Sequence, residues 1–221
     1  SLFDWTVAID RYLKTGNAQI IKEVGIEQLK PLLKKTRGEE GSGLRRLINA
    51  LDSFSREVPT CRGPNLKPSI ERILESLPMA EGELEKLKPF SPLIEKIRNR
   101  FSALNISDAV TCGLEVAEWC LENNLLQQGF TILRETILNH IIIKILGSND
   151  VKKKSNREIA ETMLNSEYEK IPKEILKLWQ EIIDYRNDIN HGGWREQNFH
   201  TENDFRQKLQ EFTEKAKNLL A

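Results

Sequence analysis

Apolar residues recur at helical spacing along nearly the whole chain, and no convincing run alternates apolar with polar residues as a half-buried strand would. That pattern dictates an all-α fold. Phe3, Val7, Ile9 and Leu13 mark a helix over residues 2–14, stopped by Thr15-Gly16-Asn17, and a second follows over 18–35. The glycine- and glutamate-rich stretch 37–43 reads as a loop, and so does 59–68 with its prolines. Between and after them, helices are expected over 44–58, where Leu47, Leu51 and Phe54 are in phase, over 69–77 and over 92–104.

Ser107-Asp108 offers a capping residue for a helix over 109–122 carrying Val116, Trp119 and Cys120, and Asn123-Asn124 marks a break. The stretch 125–146 is the most apolar, ending in Ile141-Ile142-Ile143-Lys144-Ile145-Leu146. A helix apolar almost all round is a buried one, so it is either the centre of a bundle or part of a dimer interface. A polar loop over 148–156 holds Lys152-Lys153-Lys154, read as solvated. Short and long helices then follow over 157–164, from Pro172 to His191, where Gly192-Gly193 ends the helix, and over 203–220. A boundary near residue 106 divides a helical linker or connector domain, 1–106, from a bundle of about four or five helices over 107–221.

Charge narrows the function. Lys plus Arg and Asp plus Glu are equal at 33 each, which argues against a protein coating long stretches of nucleic acid but not against an enzyme gripping a few phosphates. Cys61, Cys112 and Cys120 form no C-x-x-C pair and have no histidine at ligand spacing, so reduced thiols in a cytoplasmic protein are expected. No signal peptide is read, and no apolar run reaches the ~18 residues of a membrane span. The first residue is Ser1, inside a helix, so a fragment lacking an N-terminal part is expected.

The segment richest in chemistry is Tyr185-Arg186-Asn187-Asp188-Ile189-Asn190-His191-Gly192-Gly193. Ile175, Leu178, Trp179, Ile182, Ile183 and Ile189 make an apolar stripe, and Arg186 lies on it. A guanidinium there must be paired, bind an anion or sit at an interface. His191 follows five residues later, roughly 140° around an ideal helix. Unwinding at the glycine stop, or a two-fold partner helix, would bring the two types together. Cleavage of RNA by its own 2′-hydroxyl needs one proton removed, another delivered and a cation beside the phosphorane. Histidine and arginine supply these without metal or cofactor.

Arg186-Asn187-x-x-x-His191 is similar to the R-x-x-x-x-H motif of HEPN ribonucleases, in which a polar residue often follows the arginine. Asp4-Trp5-Thr6-Val7-Ala8 with Thr15-Gly16-Asn17, and Phe54-Ser55-Arg56 leading into Cys61-Arg62, resemble the helical segment after the sensor domain of CRISPR-associated CARF–HEPN proteins. Gln127-Gln128-Gly129-Phe130 to Leu133-Arg134-Glu135 resembles the first long helix of their HEPN domain. The resemblance implies an endoribonuclease of type III CRISPR defence, with Arg186 and His191 catalytic and Asn187 supporting. It also implies single-stranded RNA as substrate, a homodimer joining two motifs, and control by cyclic oligoadenylate through an N-terminal sensor domain that shows no βαβ pattern here. DNA, lacking the 2′-hydroxyl, is not a substrate on this reading.

Arg134 and Glu135 read equally as partners behind the active site or as a buried ion pair. His140 reads as a core or interface histidine, His200 as a surface residue, and Trp119 and Trp179 as core; Trp194 reads as packed over the helix end in preference to stacking on an RNA base. Two other functions stay open: a HEPN toxin of a toxin–antitoxin pair, and a non-catalytic helical dimerisation module.

Overall fold

The computed structural model describes residues 2–36, 40–84, 91–194 and 200–220. Among them all regular secondary structure is helical, as the spacing of apolar residues requires. The chain divides into two compact units, Ser1–Asn105 and Ile106–Ala221.

The first unit holds α1 (Leu2–Thr15), α2 (Gln19–Lys35), α3 (Ser42–Glu57), α4 (Gly63–Leu84) and α5 (Ser91–Ser102). Its core gathers Trp5, Ile9 and Tyr12 of α1, Leu47, Leu51 and Phe54 of α3, Leu66, Ile70 and Ile73 of α4, and Phe101 of α5. Phe101 meets Phe54 edge-on at 5.4 Å between centroids and stacks with Tyr12 at 6.4 Å. The pair α3–α4 is drawn tight at Gly43, where an added Cβ would fall 2.7 Å from the Met79 backbone carbon. Glu83 of α4 then reaches the open end of α3, accepting from the Gly43 and Leu44 N–H groups at 2.8 and 2.9 Å. Those are donors that no helical carbonyl can serve.

One expectation fails here. Residues 59–68 are not all loop, because α4 begins at Gly63 and includes Pro64 and Pro68. Pro64 suits the first helical turn, whose N–H groups have no partner within the helix, whereas Pro68 lies inside the helix. Burial of Leu66, Ser69 and Ile70 draws the segment into the helix. The prolines suggest a loop, and tertiary burial overrides them.

The second unit holds α6 (Ala109–Glu122), α7 (Leu126–Lys144), α8 (Lys154–Asn165), α9 (Lys173–Asn190) and α10 (Glu202–Leu220). Asp108 starts α6 as a capping box: its carboxylate accepts from the Val110 and Thr111 N–H groups, and the Thr111 hydroxyl oxygen accepts from the Asp108 N–H. Helix α7 is the centre of this bundle, packed against α6, α8, α9 and α10. Phe130, Leu133, Ile137, Ile141 and Ile142 are wholly enclosed. The apolar excess over 137–146 is therefore mostly satisfied within the chain, and only Ile143, Ile145 and Leu146 stay half-buried. Close approach again relies on glycine: a Cβ on Gly113 would fall 2.1 Å from the Thr136 hydroxyl oxygen, and one on Gly129 would fall 2.5 Å from Leu209.

Candidate functional site

Helix α9 carries the motif. Ile175, Leu178, Trp179 and Ile182 are buried, which fixes the helix rotation and turns Arg186 toward the same side. Arg186 is half-buried. Its Nε is enclosed without a hydrogen-bond partner, and no described carboxylate pairs with its guanidinium. A guanidinium so placed can take an anion.

His191 stands at the other extreme, exposed at the C-terminal cap. Its N–H still donates to the Asn187 carbonyl at 3.0 Å, so the helix has not unwound before it. The expectation that the glycine stop would relax the geometry is corrected: helix arithmetic keeps Arg186 and His191 roughly 140° and ~7.5 Å apart along α9. Within one chain they stand on different sides of the helix. Asn187 is half-buried and gives its carbonyl to that capping bond, with no side-chain bond to Arg186 or His191 among the described residues.

The residue that sequence reading missed is Asp188. It is 1% exposed, although it lies off the apolar stripe where solvent is expected. Gly192 and Gly193 follow it at positive φ (62° and 75°), a conformation cheap only for glycine. Asp188 bonds to Gly193 and to His200. Its backbone carbonyl accepts from the Gly193 N–H at 3.3 Å. Its Oδ2 accepts from the His200 backbone N–H at 3.0 Å and sits 2.9 Å from His200 Nδ1. Asp188 Oδ1 is enclosed without a partner.

His200 is thus not a free surface residue. Its ring lies 3.9 Å from Tyr185, which packs in turn on Phe130, Phe205 and Phe212. Burial raises the Tyr185 phenol above its ordinary value. The clearest sequence clue was the Gly-Gly pair, which turns the chain back onto its own helix. Trp194 also departs from expectation: the ring is 92% exposed instead of packed away, because the turn carries it outward.

Arg134 and Glu135 form an ion-pair network linking α7 to α8. Arg134 pairs with Glu135 and Glu161, and Arg157 pairs with Glu135. Arg157 also donates to Asn139 and to the Val151 carbonyl. The Arg134 guanidinium lies 4.8 Å over the Trp179 ring, so this network touches α9 about two turns before Arg186. It makes no bond to Arg186, Asn187 or His191 among the described residues. Closer to the motif, Gln127 of α7 donates to the Asn190 side chain at 2.8 Å and steadies the end of α9.

Among the described residues no group of three or more His, Cys, Asp and Glu side chains could hold a metal ion, and no helix is long and apolar enough to cross a membrane. The first unit has an open cleft of about 510 Å³ bordered by Lys22, Arg46, Asp52, Arg56 and Arg72, in which Asp52 already pairs with Lys22 and Arg56. No protein-family model matches the chain, and no curated protein sequence matches it.

Proposed function

We propose that this chain is the helical, RNA-cleaving part of a HEPN endoribonuclease of type III CRISPR defence. It would act on single-stranded RNA in the cytoplasm as a homodimer, under control of a cyclic-oligoadenylate sensor domain. The observation that carries the reading is Arg186: a half-buried guanidinium with an enclosed Nε and no carboxylate partner among the described residues, on the helix that ends in exposed His191. Stability alone would favour leucine there. A phosphate supplies what the guanidinium lacks, through bidentate bonds.

In the proposed reaction the ribose 2′-oxygen attacks the adjacent phosphorus as its proton leaves. The bond from phosphorus to the 5′-oxygen breaks, and that oxygen takes up a proton. The products are a 2′,3′-cyclic phosphate and a 5′-hydroxyl. Arg186 would bind the phosphate oxygens on which charge develops, and His191 would transfer a proton. DNA has no 2′-hydroxyl and is left intact. Because Arg186 and His191 stand apart on one helix, a second copy is needed to place both types at one phosphate.

The test is cleavage of single-stranded RNA by EDTA-treated protein beside Arg186→Ala and His191→Ala. Activity should survive EDTA and fall on the order of a hundredfold or more in each variant, as for other donors to a transition state. Loss with EDTA together with full activity of both variants would sink the assignment. Mixing the two variants should restore some cleavage, since a mixed pair keeps one arginine and one histidine.

A further inference from the structure

The four tryptophans divide sharply. Trp5, Trp119 and Trp179 are 5%, 3% and 0% exposed, whereas Trp194 is 92% exposed. An indole ring carries a large apolar area that a chain ordinarily hides. Here the backbone holds it out. Gly192 and Gly193 turn at positive φ, the Gly193 N–H is bonded to the Asp188 carbonyl, and the Trp194 N–H donates to the His191 carbonyl at 3.1 Å. The ring edge lies over Gly192, 3.7 Å from where a Cβ would stand. The backbone that carries the exposed indole is therefore tied to the exposed His191, through a bond to that residue's own carbonyl.

The neighbours decide which ligand fits. Among the described residues, Asn190, His191 and Gly192 beside it in the chain are exposed and not hydrophobic, and the other exposed large hydrophobic of this unit is Ile159 of α8, so these residues make no broad apolar patch with the ring. Protein interfaces bury contiguous apolar cores. A nucleobase needs only one flat face, and stacking on an aromatic ring tolerates any base. We propose that Trp194 is a stacking platform for a base of single-stranded RNA, placed next to the phosphate handled by Arg186 and His191. The choice of RNA rests on the ribonuclease reading above. The exposure and the fixed turn stand without it.

The structure also supplies the readout. With the other tryptophans enclosed, emission accessible to acrylamide comes from Trp194. Titrating the full chain with a 2′-O-methylated, uncleavable RNA decamer should quench that emission and shield it from acrylamide. Trp194→Phe should keep affinity within a few-fold, and Trp194→Ala should lose on the order of tenfold to a hundredfold, the usual worth of one stacked base. Circular dichroism should be unchanged in both. Wild-type binding by Trp194→Ala, or no binding by the wild type, overturns the proposal. So does acrylamide shielding that grows with protein concentration in the absence of RNA, since a second copy would then cover the ring. Failure of the ribonuclease reading looks different: RNA binding that needs Trp194 while cleavage of unmodified RNA ignores Arg186 and His191.

Discussion

Asp188 is tied to its surroundings more closely than any other residue of the segment 186–191. Replacing it with alanine strips the acceptor from the His200 backbone N–H and removes the contact with His200 Nδ1. A buried donor left unsatisfied costs about 1–3 kcal/mol, so Asp188→Ala should lower the free energy of unfolding by that much and bring the urea midpoint down with it. Asp188→Asn keeps one carbonyl acceptor and should lose less. Urea denaturation followed by circular dichroism checks both, and equal stability of all three proteins would remove the clamp from the account. The half-buried place of Arg186 is legible from its spacing, in phase with Trp179 and Ile182. Asp188 was not. Its partner His200 lies twelve residues on, across a turn whose direction no spacing rule gives. The same holds for Trp194, whose exposure depends on where Gly192 and Gly193 send the chain.

At the scale of elements, α7 bears the load of the second unit, and His140 is its sensitive point. It is 9% exposed with Nδ1 unpartnered. Burial first, and then the charge of Lys144, lower its pKa below 6.5, against a backbone hydrogen bond with Leu220 and the charge of Asp108. The folded protein thus resists a proton that the unfolded chain accepts. Stability is complete above pH 6.5 and falls as pH drops from there toward the lower folded value. Melting of the wild type at pH 7.5 and 5.5 should show the loss, and His140→Phe should flatten it. An unchanged slope would place the acid sensitivity elsewhere. Helix α7 was read correctly as buried, while the choice between bundle centre and dimer face needed the neighbours. Helix α4 was the reverse case: its prolines suggested loop, and burial of Leu66 and Ile70 made helix.

The chain divides into two compact units between Asn105 and Ile106, and that division changes the meaning of its electrical neutrality. Over Ser1–Asn105 lysine and arginine exceed aspartate and glutamate by four, and over Ile106–Ala221 they fall short by four, so the formal zero is a cancellation. The unit with the Arg–His motif is the acidic one, which should slow its encounter with a polyanion, while the other unit attracts it at low ionic strength. Produced separately, the units should part on ion-exchange resins at neutral pH, residues 1–105 held by a cation exchanger and residues 106–221 by an anion exchanger. Retention of both on the same resin would refute the segregation. In an electric field the intact chain would scarcely drift, while its severed halves would travel toward opposite electrodes.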